Sequence, residues 1–181
     1  MKEEFTISIF TENHIGLLNR VSIIFTRRHI NIESITASES EVPGIYRYTV
    51  VVNETREQVE KVVKQIEKQV EIFCAFYHRT EEIVYQEIAL YKLPTAAISN
   101  GLGLEKLIRD NNARILSLEG EFIVIEKTGH KEETQELLKK LQPFNVLEFV
   151  RSGRVAMIKQ KENLTHTLVE LEKTHHSEYK N

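Results

Sequence analysis

Near the start of the chain Phe5, Ile7 and Ile9 alternate with Thr6, Ser8 and Phe10, and a period of two predicts a strand. A polar turn follows, Thr11-Glu12-Asn13-His14-Ile15-Gly16, and then Leu17, Leu18, Val21, Ile24 and Phe25 recur at helical spacing. Arg27, Arg28 and His29 close that helix with positive charge where its dipole favours it. Ile30, Ile32 and Ile35 open a second strand, and Val42-Pro43-Gly44 marks a turn. The β-prone run from Ile45 to Val52 is a third strand. Asn53-Glu54-Thr55 offers a helix N-cap before Val59, Val62, Val63, Ile66 and Val70, and a fourth strand runs from Val70 to Tyr77.

The second half repeats this order. A strand from Ile83 to Leu93 ends at Pro94-Thr95, and Leu102, Leu104, Leu107 and Ile108 form a helix entered through Gly101-Leu102-Gly103. Two strands, 113–118 and 122–125, flank the hairpin loop Glu119-Gly120-Glu121. A helix carrying Leu137, Leu138 and Leu141 leads to a last strand from Phe144 to Val150. The predicted class is α+β: two ferredoxin-like βαββαβ domains in tandem, spanning 1–79 and 80–158 and joined at 79–82. A polar tail, 159–181, holds a short amphipathic helix with Leu164, Leu168 and Leu171 before His175-His176. Each sheet buries one face under its helices. The other face and the edge strands stay open, which predicts pairing with another copy.

The chain of 181 residues carries a net charge of −3, so it has no basic excess to neutralise a phosphate backbone. Tyr46 and Tyr48 share a strand face that suits base stacking, but the aromatic signature of RNA-binding sheets is missing, so no nucleic-acid partner is expected. No apolar run is long enough to span a membrane, and Met1 to Phe10 does not read as a signal peptide. With Cys74 as the single cysteine, no intramolecular disulfide forms; the expected compartment is the cytoplasm, with Cys74 a buried packing residue. No nucleophile-elbow or phosphate-loop motif occurs. The seven histidines show no metal-ligand spacing in a folded segment, and Glu54, Glu57, Glu60 and Glu67 lie on polar helix faces. The chain is therefore expected to be no enzyme and to bind no metal.

Asn13 and Gly16 lie between a strand end and a helix start. Glycine lets the backbone approach a ligand, and the first-turn amides of the helix lack intrahelical acceptors, a combination that suits a small carboxylate. The Asn13 amide both donates and accepts, as an amino-acid zwitterion requires, and Asn31 is placed to face the same pocket, with Ile15, Leu17 and Leu18 as an apolar wall. The same residues also read simply as turn and cap.

The run from Thr11 to Val21, with its pattern E-N-x-x-G-x-L-x-R-V, then Phe25, Arg28 and Asn31-Ile32-Glu33-Ser34-Ile35, resembles the N-terminal ACT domain of acetolactate (acetohydroxyacid) synthase small subunits. Glu87-Ile88-Ala89-Leu90, Glu126-Lys127-Thr128-Gly129, Leu141-Gln142-Pro143-Phe144 and Glu148-Phe149-Val150-Arg151-Ser152-Gly153 extend the resemblance, in order, to about residue 158. The second domain is accordingly ACT-like. The resemblance implies a regulatory subunit that activates a thiamine-diphosphate catalytic subunit and confers feedback inhibition by valine in branched-chain amino-acid biosynthesis. The large subunit would carry thiamine diphosphate, Mg and FAD, and this chain no cofactor. It also implies a homodimer through the ACT domains, with valine at their interface on Asn13, Gly16, Leu17, Leu18, Asn31 and Ile32. Arg151 is a candidate partner or effector contact, or a plain strand-end arginine, and the loop from Ser38 to Gly44 is a candidate partner surface. Tyr46-Arg47-Tyr48-Thr49, Gln86 and Ser117 depart from the residues common in relatives. An amino-acid sensor acting on a different client enzyme is the alternative.

Overall fold

The computed structural model describes residues 1–99, 103–160, 166 and 168–171. It divides into two compact units, one of Met1–Val84 together with the chain from Arg154 onward, the other of Tyr85–Gly153. The expected divisions lay at 79/80 and 158/159. The chain in fact returns to its first unit immediately after Gly153.

In the first unit β1 (Glu3–Glu12), α1 (Leu17–Arg27), β2 (Ile32–Glu39), β3 (Ile45–Glu54), α2 (Arg56–Ile66) and β4 (Ile72–Arg79) follow in the predicted order. The antiparallel sheet runs β2-β3-β1-β4, so β2 and β4 are its edges. Phe5, Ile7 and Ile9 of β1 point to one face and are fully buried against Leu17, Val21 and Phe25 of α1 and Val59, Val62 and Ile66 of α2. Each such side chain contributes roughly 1.5–3 kcal/mol by leaving water. Thr55 caps α2, its hydroxyl accepting the Gln58 amide at 3.4 Å.

The opposite face of this sheet departs from expectation, because the chain itself covers it. Phe10, Ile45 and Cys74 form a second apolar cluster with Val42, closed by Leu168, which is completely buried in the helical residues 168–171. Burial pushes the Cys74 thiol up to about 12. The residues Arg154 to Ala156 also cross this face. Arg154 is 2% exposed and donates to the Thr6 hydroxyl at 2.9 Å and the Glu4 carboxylate at 2.8 Å. Its carbonyl accepts the Thr36 hydroxyl, and the Ala156 carbonyl accepts Arg47. Val155–Ile158 forms a further short strand, β9, which the hydrophobic pattern does not predict and which the expected boundaries put inside the second domain. Leu164, Leu102 and His175-His176 lie outside the described residues, while Leu171 packs at the edge of the second cluster.

The second unit comprises most of β5 (Ile83–Pro94), then α3 (Ala96–Ser99), α4 (Leu104–Asp110), β6 (Arg114–Leu118), β7 (Phe122–Gly129), α5 (Lys131–Leu141) and β8 (Glu148–Arg151). Its strands run β6-β7-β5-β8, the same permutation as the first sheet, and Ala89, Tyr91, Leu93, Ile123 and Ile125 meet Leu104, Leu137 and Leu141 in its core. The tandem ferredoxin-like architecture is as expected. None of the described helices is long and apolar enough to cross a membrane.

Candidate functional site

The loop between β1 and α1 is built around Gly16, which sits at φ +83° as the N-cap of α1. An L side chain rarely adopts that conformation, which is the local reason for glycine here. The cap has no side chain to bond the first-turn amides. Helix geometry leaves the N–H groups of Leu18 and Asn19 without intrahelical acceptors, whereas that of Leu17 donates to the His14 carbonyl at 3.2 Å. Arg20, one turn on, bonds Glu71 at 2.6 Å and ties the start of α1 to the start of β4. This bond holds the Glu71 carboxyl below the usual carboxylate range.

Asn13 and Gly16 are exposed beside this helix start, as is Ile15. Leu18 is 41% exposed and belongs to the surface here, but Leu17 is fully buried in the core beneath α1 and cannot present its side chain to a ligand. Only its backbone is at the site.

Asn31 and Ile32 stand elsewhere. Ile32 is level with Val52 of β3, which is level with Phe5 near the beginning of β1, whereas the loop leaves β1 after Glu12, level with Ile45. From Ile45 to Val52 is seven residues of strand, about 23 Å at a strand's rise. Within one chain the two halves of the candidate set therefore lie at opposite ends of the sheet, so Asn31 does not face a common pocket with Asn13 in a single copy. Asn31 is exposed, its amide donating to Glu33 at 3.0 Å, and Ile32 is half-buried against the core.

Arg151 is half-buried in the second unit. Its Nε lies 3.4 Å from the buried Glu87 carboxylate, its Nη1 is 3.4 Å from the Thr134 hydroxyl, and its guanidinium stands over Phe149. These contacts join β8 to β5 and α5, the surroundings of a residue that holds its own unit together. The loop from Ser38 to Gly44 is less open than expected. Val42 is buried in the second apolar cluster, and the Ser40 hydroxyl accepts the Val42 amide, making the segment a tight hairpin.

Two arginines that the sequence pattern does not mark as functional stand on the covered face of the first sheet. Arg47 and Arg154 help to line a cavity of about 210 Å³, bounded by β2, β3 and the crossing segment. The signal that this face is covered was Phe10, an apolar residue in the polar phase of β1.

Comparison with known proteins agrees with this architecture. Residues 7–73 match the family described as the small subunit-like ACT domain of AHAS (acetohydroxyacid synthase), and residues 86–160 match the family described as the small subunit of acetolactate synthase. The acetolactate synthase small subunit of Bacillus subtilis is 33% identical over 86% of this chain and 90% of its own length. That of Mycolicibacterium smegmatis is 30% identical over 84% and 89%. The crystal structure of the small subunit from Thermotoga maritima superposes with a TM-score of 0.79 at 29% identity, covering 88% of this chain and 99% of that one.

Proposed function

The chain belongs to the acetolactate synthase small-subunit family, and from that premise we propose that it is a non-catalytic regulatory subunit that activates the large catalytic subunit and makes it sensitive to valine. The observation that carries this reading is the division of the candidate site between opposite ends of an edge strand. β2 lies at the rim of the sheet with one side unpaired. A second copy related by a two-fold axis and paired antiparallel along β2 brings the Asn13–Leu18 end of one copy level with the Asn31–Ile32 end of the other. A ligand that needs both halves then binds only a dimer, at two equivalent places.

In this arrangement the valine carboxylate takes the free amides of Leu18 and Asn19, rather than that of Leu17, which is already committed. Its ammonium group meets Asn13 and, across the interface, Asn31. The isopropyl group rests on Leu18 and Ile32. The chemistry remains with the catalytic subunit, which responds because valine favours one dimer arrangement, a bias of about 1–3 kcal/mol for an ordinary allosteric effector.

Calorimetric titration with valine, with lysine as control, tests the site. Gly16→Asp abolishes binding by placing a carboxylate against the ligand's. Gly16→Ala carries the same backbone strain without the charge, meets nothing within 4 Å, and retains binding. Valine binding that survives Gly16→Asp unchanged removes the pocket from this loop.

A further inference from the structure

The second sheet keeps open the face that the first sheet has closed. In the first unit Leu168 and the crossing segment cover the side turned away from the helices. In the second, Ile88 and Val150 on the corresponding side are 46% and 51% exposed. Ala89, Tyr91 and Leu93 of β5 enter the core, so Ile88, Leu90 and Lys92 point the other way. On β8 Val150 and Glu148 share that face, and the pairing register sets Leu90 beside Val150 and Lys92 beside Glu148. With Phe122 and Val124 of β7 these four residues line a shallow hollow. The Lys92 ammonium lies 4.0 Å from the Glu148 carboxylate and rests 4.4 Å from the centroid of the Phe122 ring. Both charged groups are partly in water, where such a pair contributes little by itself. An ammonium offers several donors and a carboxylate several acceptor sites, so each keeps room for a second partner.

These two rows are self-complementary. A two-fold axis running along the strands, between β5 and β8, lays β5 of one copy over β8 of the other and keeps every row in place. Lys92 then faces Glu148 of the other copy and Leu90 faces Val150, and each contact is made twice. The axis between β5 and β7, by contrast, sets Lys92 over Val124 and Leu90 over Glu126, a mismatch in both rows. We infer that the open face of the second sheet binds the same face of a second copy through β5 and β8, with Lys92 and Glu148 paired across the axis. This surface belongs to the second unit and is distinct from the β2 edge of the first. A contact two strands wide buries far less than the roughly 800 Å² per partner of a stable dimer. It therefore reinforces or extends an assembly held elsewhere, where the effective concentration of its partner is high.

The test mixes two full-length variants, Lys92→Glu and Glu148→Lys, in equal amounts at millimolar concentration. Neither chain keeps both native residues. A Lys92–Glu148 amide formed by a zero-length carbodiimide, and found by mass spectrometry of the digest, therefore joins two chains. That bridge is expected in the mixture. Its yield is expected to fall about tenfold or more when Val150→Asp is added to both chains, because a carboxylate then stands against Leu90. All three substitutions lie on the solvent side of the sheet, so the far-ultraviolet spectra stay native. Absence of the bridge overturns the inference, as does a yield indifferent to Val150→Asp, the mark of random collision. If no bridge forms and Val150→Asp in the otherwise native chain abolishes activation of the large subunit, the face belongs to that subunit and the inference fails.

Discussion

Gly16 shows how much a single position can carry. Its left-handed conformation shapes the loop and exposes the first amides of α1, and the space beside its Cα is empty. Gly16→Ala should therefore cost about 1–2 kcal/mol from backbone strain alone, read from a urea unfolding curve. Glu71 makes a second prediction. Its carboxyl is held low by Arg20, so the stabilisation it contributes is complete above the unfolded carboxylate value of about 4.3 and is lost as pH falls through the lower folded value. Stability should stay level from about pH 7 to 5 and fall below about 4.3, and Arg20→Gln should lessen the fall in an acid titration followed by circular dichroism. Some residue roles were legible in the sequence and others were not. The left-handed turn at Gly16 was legible from a glycine set between a strand end and a helix start. Leu17 and Leu18 look alike as letters, and only the rotation of α1 sends one into the core and the other to the surface. Arg154 is nearly the least readable residue of the chain. It is a cation that sequence reasoning places in water, yet Thr6 and Glu4 take it out of water.

At the scale of elements, periodicity was a sound guide wherever one face meets a core. Strand alternation and the helical spacing of Val59, Val62, Val63 and Ile66 reproduce β1, β3 and α2 to within a few residues. It fails where packing comes from a distant part of the chain, because a tail segment that covers a sheet carries only a short apolar run. Leu168 is the clearest case, and its burial gives a quantitative expectation. Leu168→Ala should destabilise the chain by about 2 kcal/mol, at the lower end for a buried leucine, because Phe10, Ile45 and Cys74 lose their cover. The same substitution should speed alkylation of Cys74 at mildly alkaline pH by an order of magnitude or more, since a thiol raised to about 12 reacts poorly while it is covered. An unchanged alkylation rate would mean that Leu168 does not protect the thiol.

At the scale of the molecule, the repeat was visible from residue order, and the two sheets share one strand permutation. The candidate set could be read only as two separate segments, because a linear pattern cannot say that Asn13 and Asn31 end about 23 Å apart along a sheet. If a second copy closes that distance, substitutions on the β2 edge should separate assembly from folding. Ile35, 36% exposed on β2, is the position to use. Ile35→Lys should shift sedimentation velocity from dimer to monomer and abolish valine binding, while the far-ultraviolet spectrum stays native. The return of the chain to its first unit also sets an order of events during synthesis. Residues 85–153 are an insertion in the sequence of a unit that begins at Met1 and resumes at Arg154. On the ribosome the first sheet can assemble early, but with Phe10, Ile45 and Cys74 still facing water, and it waits for the whole inserted unit to be translated before its cover arrives. A unit begun before the inserted one is completed only after it, and throughout that interval the nascent chain carries an apolar surface on which a chaperone can act.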